Sequence, residues 1–307
     1  MKIFLSSTYL DLIEYRAAAA NALERLGQQG IRMEVFGARP TDATSVCFDE
    51  ISESDAMVGI YTHRYGHIPT GQTTSITEQE FDFARSKDKP VFCFLIDQDY
   101  PWPPRFIDPD QQRAAAAAFK VRVQSQIVTE TITTAHDLAF KLASSLGRFL
   151  LALRVKENLD KIPKIGSSST EAGKSQVARR IARLDRVIKG AKVLLINDVP
   201  GQMRHVVALL REVEIDVRVC ENSESALKLS SEITFDAIIS DMERHGVQDE
   251  GIRFLNILRE RSSVPPVIFT VGRFDPALGT PGFAFGITNR VDECLNLLFD
   301  ALERVRG

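Results

Sequence analysis

The segment KIFLSSTYLDLIEYRAAAANALERLGQQGIRMEVF, residues 2–36, decides the fold of the first half of the chain. It begins with an apolar run, KIFLSS, continues through a helical pattern that Gly27 closes, and ends with a second β-like run, IRMEVF. Two further runs follow, DAMVGIYT at 55–62 and KPVFCFLID at 89–97. Apolar runs separated by helical stretches are typical of a parallel sheet that helices cover on both faces. We therefore expect a doubly wound α/β domain containing these four strands.

Long helical patterns begin at about residue 110. QQRAAAAAFKVRVQSQIV, 111–128, and AHDLAFKLASSLGRFLLALRVKENL, 135–159, are rich in helix-forming residues, and TETITT between them reads as a break. The second of these helices carries an apolar stripe. The stripe packs either on its own domain or against a second copy of the chain, so self-association is one of our expectations.

A linker follows these helices. KIPKIGSSSTEAGKS, 161–175, contains Pro, Gly and a run of Ser/Thr, a composition typical of flexible segments. Residues 154–192 carry 11 Lys/Arg and 4 Asp/Glu, which indicates either a solvated face or a patch for an acidic partner. We predict a TIR-like first domain with a helical extension over 1–160, a basic linker and helix over 161–189, and a second domain over 190–307.

The second domain repeats the alternation of strands and helices. Five β-like runs precede a final amphipathic helix, and they are AKVLLIND, IDVRVC, FDAIISD, PPVIFTVG and FAFGIT. Asp198 closes the first of them, Asp241 the third and Thr270 the fourth. Because the carboxyl ends of parallel strands meet at one edge of the sheet, we expect these three side chains to share one crevice.

This constellation resembles the receiver domain of two-component response regulators. The resemblance implies that Asp241 accepts a phosphoryl group, that Asp198 and Asp241 hold Mg²⁺, that Thr270 contacts the phosphate, and that a histidine kinase or another upstream sensor is the partner. Two positions depart from the family pattern. The usual acidic pair is Asn197-Asp198, and the lysine of the fifth strand is replaced by Asn289 or Arg290, of which we favour Arg290. A degenerate receiver that serves only for docking is the alternative.

Three acidic residues lie on the predicted helix within TTSITEQEFDFARSKDKPVF, 73–92. At about 100° per residue, Glu80 falls within an apolar arc of the helix, whereas Glu78 and Asp82 fall on the opposite, solvent side. A capping role is the alternative for Glu80, because Thr77-x-x-Glu80 has the spacing of a capping box, and Ser75-x-x-Glu78 offers the same box in another register.

The order IFLSST…DL…R, SDAMVGIYTHRYGHIP, SITEQEFDFA…KPVFCFLID resembles an uncharacterised domain family found at the N-termini of NTPase and repeat-containing receptor proteins and related to TIR domains. TEQEFDFA…KP also resembles a segment of nucleoside 2-deoxyribosyltransferases, which have Gly where this chain has Asp82. Both resemblances imply that Glu80 is the catalytic carboxylate that cleaves an N-glycosidic bond, with NAD as the substrate in TIR-like enzymes.

Other candidates lie near the ends of the predicted strands. Ser6, Ser7 and Thr8 follow the first strand, where they could bind a phosphate or ribose or simply cap the next helix. In HRYGHIP, Arg64 could pair with a pyrophosphate and Tyr65 could stack on a base, or the segment is only a turn.

The composition excludes several classes of function. The net charge of −3 gives no strong attraction to nucleic acid, and no apolar run approaches the roughly 20 residues that cross a bilayer. The four cysteines are scattered, without a C-x-x-C pair. We therefore expect a cytoplasmic protein without a membrane segment or a nucleic-acid partner.

Three functions remain open. The first is a TIR-like signalling or bacterial defence effector that cleaves NAD or a related nucleotide through Glu80 under the control of the receiver-like domain. The second is a non-enzymatic adaptor, in which both domains mediate protein contacts. The third is a hydrolase that resembles the nucleoside deoxyribosyltransferases.

Overall fold

A computed structural model of the chain describes residues 1–35, 42–161, 166–260, 264–273 and 279–307. These residues form two compact units, Met1–Gly147 and Arg148–Gly307. Each unit contains a five-stranded, all-parallel sheet with helices packed against it. The predicted fold class, two doubly wound α/β domains, is confirmed.

The first unit alternates strands with helices along the chain. Its elements are β1 (Lys2–Ser7), α1 (Ile13–Arg25), β2 (Gln29–Ile31), a 3-10 turn (Met33–Val35), α2 (Ala43–Glu53), β3 (Ala56–Tyr61), α3 (Ile76–Ser86), β4 (Val91–Ile96), a second 3-10 turn (Pro104–Phe106), α4 (Asp110–Gln126), β5 (Thr129–Ile132) and α5 (Ala135–Lys161), whose last residues belong to the second unit.

The sheet of the first unit has the order β2-β1-β3-β4-β5. The central strand β3 is buried along its whole length, as expected for a strand that helices cover on both faces. The chain leaves β1 and β3 in opposite directions across the sheet, so the topological switch point lies between their carboxyl ends. A ligand site is therefore expected beside Ser7 and Tyr61, the last residues of these two strands.

The second unit contains α6 (Glu171–Arg183), α7 (Asp185–Ile188), β6 (Lys192–Ile196), α8 (Pro200–Glu212), β7 (Asp216–Cys220), α9 (Ser223–Glu232), β8 (Ala237–Asp241), α10 (Glu250–Arg259), β9 (Val267–Thr270), β10 (Gly286–Thr288) and α11 (Val291–Arg306). Its sheet has the order β10-β9-β8-β6-β7. The switch point therefore lies between the carboxyl ends of β6 and β8, where Asp198 and Asp241 are found.

Two elements of the first unit differ from the prediction. The second strand is Gln29–Ile31 and is followed by a 3-10 turn, whereas we expected a strand over 31–36, and Phe36 lies outside the described residues. The predicted break TETITT forms β5, an edge strand that pairs with β4. Only Ile132 of β5 is buried, so the segment lacks the apolar run by which we identified the other strands.

The predicted linker also differs. The division between the two units falls at Gly147 and Arg148, inside α5, whereas we expected it after residue 160. Within 161–189 the described residues form α6 and α7, and Val177 and Ile181 of α6 are buried in the core of the second unit together with residues of α11. Arg179 and Arg183 of α6 are exposed, whereas Arg180 pairs with Asp300 and Glu303 of α11. The segment is therefore an amphipathic helix that belongs to the second unit.

Replacing Ile181 with Ala should therefore destabilise the second unit by about 2–4 kcal/mol, because a buried aliphatic side chain would leave a cavity. Urea unfolding followed by circular dichroism measures this loss. Arg179→Ala, which removes an exposed side chain from the same helix, should change the free energy of unfolding by no more than about 0.5 kcal/mol. Equal effects of the two substitutions would show that α6 is a linker rather than part of the core.

Candidate functional site

Glu80 lies inside the first unit, as the helical periodicity predicts. Its side chain is only 3% exposed, and the Ser6 hydroxyl at the end of β1 donates a hydrogen bond of 2.6 Å to its Oε2. Burial raises the pKa of the Glu80 carboxyl to about 7, although hydrogen bonds from Ser6 and Cys47 and the charge of Arg16 oppose this shift. A carboxyl with this pKa changes its charge close to neutral pH.

The capping alternative for Glu80 is wrong. Ser75 is the N-cap of α3, and its hydroxyl accepts a hydrogen bond from the Glu78 amide, whereas Glu80 is bonded to Ser6 on another element. The Ser75-x-x-Glu78 capping box therefore forms only one of its two hydrogen bonds, the one from the Glu78 amide to Ser75. The Glu78 carboxylate bonds to other partners, and the Glu80 side chain does not cap the helix.

The prediction that Glu78 points to water is also wrong. Its carboxylate accepts a hydrogen bond from the Tyr65 hydroxyl and lies 2.7 Å from Nη2 of Arg122 on α4. Asp82 lies on the outer side as predicted, with half of its side chain exposed, and it pairs with the same arginine. Arg122 therefore joins α3 to α4.

Ser6 and Ser7 are the last two residues of β1, and both of their hydroxyls are hydrogen-bonded, whereas the Thr8 hydroxyl is buried without a hydrogen bond within the described residues. Ser7 donates to the carbonyl oxygen of Thr8 at 2.8 Å and accepts a hydrogen bond of 2.6 Å from Arg16, which in turn is paired with Glu34. None of the three hydroxyls caps α1, because that helix begins at Ile13 without a side-chain cap. The alternative of helix capping is therefore wrong, and a role in binding substrate stays a prediction.

Arg64 and Tyr65 have partners within the unit. Nε of Arg64 lies 3.3 Å from the Asp108 carboxylate, which also accepts the Tyr65 amide at 2.7 Å. Tyr65 is 5% exposed, so its ring has no open face on which a base could stack. The arrangement thus brings Ser6, Glu80 and Tyr65 together by contact or through shared neighbours, but as a packed cluster.

The space beside this cluster is small. The cleft that Thr8, Thr62, Arg64 and Tyr65 line encloses about 10 Å³, roughly the volume that one water molecule occupies, and Glu80 is not part of its wall. A ribose ring does not fit there. This cleft therefore does not bring a sugar to Glu80.

In the second unit, the predicted acidic site is assembled. Asp241 ends β8 and lies in register with Thr270 on β9, while Nδ2 of Asn197 lies 3.3 Å from its carboxylate. Burial, and after it the negative charge of Asp198, raises the pKa of Asp241 to about 6. A cation bound between Asp198 and Asp241 would favour the ionised form of Asp241, so the pair suits a divalent cation.

The predicted phosphate contact Arg290 is held elsewhere. Its guanidinium pairs with Asp292 at 2.8 Å, and that carboxylate is fully buried and also accepts hydrogen bonds from Thr170. The other candidate, Asn289, donates to the Ser167 hydroxyl at 3.0 Å. A contact between Arg290 and a phosphoryl group would require the pair with Asp292 to break.

Our sequence analysis missed Arg244, which is fully buried beside the acidic site. Its guanidinium donates to the Ser240 hydroxyl, to the carbonyl oxygen of Asp241 at 2.5 Å and to the Ser223 hydroxyl at 2.7 Å. It thereby ties the end of β8 to the beginning of α9. A charged residue in a turn is normally exposed, so no sequence pattern distinguishes this arginine from a surface one.

Comparison with known families agrees with the two-unit architecture. Residues 2–147 match the model of the family described as Domain of unknown function (DUF4062), and residues 193–291 match the Response regulator receiver domain. The chain combines a DUF4062 domain with a receiver domain. The resemblances to an uncharacterised domain family and to receiver domains are therefore confirmed, whereas neither family match tests the resemblance to nucleoside 2-deoxyribosyltransferases. No match was found among curated proteins.

Solved receiver structures are similar to the second unit. The chemotaxis response regulator CheY4 of Vibrio cholerae has 25% identity over 38% of this chain and 99% of that chain, with a TM-score of 0.30. The signal receiver domain of an HD domain-containing protein from Pseudomonas fluorescens Pf-5 has 21% identity over 38% of this chain and 89% of that chain, with a TM-score of 0.33. The receiver assignment itself rests on the family match and on the sheet order.

Neither a metal cluster nor a membrane helix is seen in the described ranges. Within them, no group of three or more His, Cys, Asp or Glu side chains is placed to hold a metal ion. No helix in the same ranges is long and apolar enough to cross a bilayer. All four cysteines are buried and free, as expected for reduced thiols.

Proposed function

We propose that this protein is a phosphorylation-dependent signalling protein whose receiver domain controls a glycosidic-bond hydrolase in the DUF4062 domain. The receiver part is supported by Asp198, Asp241 and Thr270 at the switch point of the second sheet. The enzymatic part is supported by one observation, a buried carboxyl at Glu80 whose pKa is raised to about 7. A histidine kinase is the natural phosphodonor for such a receiver.

Phosphoryl transfer to Asp241 needs an ionised carboxylate and a positive charge that offsets the negative charges of the site. An Asp241 oxygen attacks the phosphorus of the donor, the bond from phosphorus to the donor atom breaks, and an acyl phosphate forms on Asp241. Asp198 and Asp241 would hold Mg²⁺, which supplies positive charge to the transferring group when bound. Thr270, which is 3% exposed and in register with Asp241, would contact the phosphoryl oxygens.

The full-length protein should take up one phosphoryl group when it is incubated with Mg²⁺ and acetyl phosphate, a small phosphodonor. Intact-mass spectrometry detects the adduct, and Asp241→Asn should abolish it because the amide is not a nucleophile. Asp198→Asn should reduce the uptake through loss of a metal ligand, whereas Asp216→Asn, at an exposed position of β7, should not. Equal phosphorylation of the Asp241→Asn protein would contradict the assignment.

Glu80 acts on the sugar in the proposed hydrolysis. The bond between C1′ of the ribose and the nitrogen of the base breaks, the base leaves as neutral nicotinamide in the case of NAD, and the Glu80 carboxylate stabilises or traps the positive sugar carbon. Water then adds at C1′ and releases a proton. Only one carboxylate is needed for this chemistry.

The buried position of Glu80 links ionisation to opening. Burial raises the pKa, so the closed conformation disfavours the carboxylate form. Exposing the side chain to water removes this effect, lowers the pKa and generates the reactive carboxylate. A receiver that shifts the DUF4062 domain toward an open conformation would therefore switch the activity on.

Concentrated full-length protein should release nicotinamide from NAD, and the rate should rise between pH 6 and 8 as Glu80 ionises. Glu80→Gln should lower the rate by about 100-fold or more, while Asp82→Asn, on the exposed side of the same helix, should keep most of it. Chromatographic detection of nicotinamide measures both effects. Equal release by the Glu80→Gln protein, with both proteins folded, would refute the role of Glu80.

An adaptor function is the second candidate, and the closed cleft beside Glu80 favours it. In this case Glu80→Gln would leave partner binding intact, and phosphorylation of Asp241 would change protein contacts, including self-association, without any reaction on NAD. A third candidate, a hydrolase similar to the nucleoside deoxyribosyltransferases, would release a free base from deoxynucleosides instead of nicotinamide from NAD.

A further inference from the structure

A groove of about 510 Å³ lies on the carboxyl side of the first sheet and shares no lining residue with the small cleft beside Tyr65. It runs between the beginning of α1, including Asp11 and Tyr15, and the segment after β4, including Tyr100, Trp102 and Arg105. Its volume lies within the range of pockets that bind small molecules. The groove thus has room for a nucleotide base.

Aromatic side chains form much of its wall. The rings of Tyr15 and Trp102, which both line the groove, lie 5.7 Å apart, and the ring of His63 lies 5.8 Å from the same indole. The Tyr15 hydroxyl donates to the Thr133 carbonyl oxygen at 2.6 Å, which fixes the position of that ring. A planar ligand therefore meets a rigid aromatic surface here.

Two polar atoms of the groove residues lack partners. Oδ2 of Asp11 accepts a hydrogen bond of 2.7 Å from Thr62, but its Oδ1 is buried without any hydrogen bond within the described part of the chain. The same holds for Nε1 of Trp102. The side chain of Asp11 is 8% exposed, so this unsatisfied carboxylate oxygen is costly in a folded protein. One site thus offers both an acceptor and a donor.

The position of Asp11 in the fold favours a ligand. The hydrogen bond from Thr62 to Asp11 connects the segment after β3 to the segment after β1, so it spans the switch point at which ligands bind in open parallel sheets. Asp11 also belongs to the IFLSST…DL…R motif that carries the family resemblance, and no role in the proposed reaction explains it. The unsatisfied oxygen of Asp11 therefore lies where a ligand is expected.

We propose that this groove binds the heterocyclic base of the nucleotide substrate. The base would be a planar ring with an N–H donor next to an acceptor, as in an amino-purine or a pyridine carboxamide, with the N–H directed to Asp11 and the acceptor to Nε1 of Trp102. The identification of the ligand as a substrate rests on the proposed hydrolase function. The binding itself does not depend on cleavage, so the two proposals can fail separately.

Trp102 provides the readout, because it is the single tryptophan of the chain. Its fluorescence in the full-length protein is titrated with AMP and with nicotinamide mononucleotide, and each is compared with an analogue that lacks the N–H donor, purine riboside monophosphate and nicotinic acid mononucleotide. We expect a saturable change with at least one amino or amide ligand and binding at least about tenfold weaker for its analogue, because the analogue leaves Asp11 unpaired.

Substitutions localise the site. Asp11→Asn should weaken binding at least about tenfold, since its amide can still accept from Thr62 but loses the second carboxylate oxygen. Asp99→Asn, at an exposed position in the segment that leads to Trp102, should bind as the wild type does. Melting temperatures establish that the variants are folded, and the comparison of ligands on the wild type needs no variant at all.

Two results would overturn the proposal. The first is the absence of a saturable change in Trp102 fluorescence with all four nucleotides, and the second is equal affinity for each ligand and its analogue. Binding that discriminates the ligands without nicotinamide release would retain the groove and refute the hydrolase function instead.

Discussion

The hydrogen bond from Ser6 to Glu80 joins the end of β1 to α3, and the functional account depends on it. It holds a carboxyl group inside the first unit, at the edge of the sheet where ligands bind. The same contact explains why the carboxyl is stable there at all, since a buried acid needs a donor. Its raised pKa, about 7, makes the charge of Glu80 sensitive to whether the cleft is open or closed.

The second unit also contains a partly buried carboxyl group, and its proposed role is phosphoryl transfer. Asp241 lies at the switch point of its own sheet, and burial together with Asp198 raises its pKa to about 6. In both units, burial disfavours the charged form of a carboxyl group that lies where the strands of a parallel sheet end. In our proposal, a phosphoryl group or a cation offsets the cost of the Asp241 charge in the receiver, and exposure to water offsets that of Glu80 in the DUF4062 domain. In the proposed regulation, phosphorylation of the receiver favours the conformation in which Glu80 is exposed.

Local sequence patterns predicted the features that depend on local periodicity. The inward direction of Glu80 follows from the apolar positions of its own helix, and the convergence of Asp198, Asp241 and Thr270 follows from the ends of apolar strands. Features that depend on distant partners were missed. The burial of Glu78 is set by Arg122, 44 positions along the chain, and that of Arg244 by Ser223, 21 positions away. The strand β5 was missed because as an edge strand it needs no apolar run.

The central claim is that Glu80 is a buried carboxyl whose charge is determined by its enclosure. The most direct test is an NMR titration of the full-length protein with labelled glutamate carboxyl carbons, in which the Glu80 signal is assigned by its loss in Glu80→Gln. The account predicts a pKa of about 7. A pKa close to the ordinary glutamate value of 4.5 would contradict it, because the side chain would then be in contact with water.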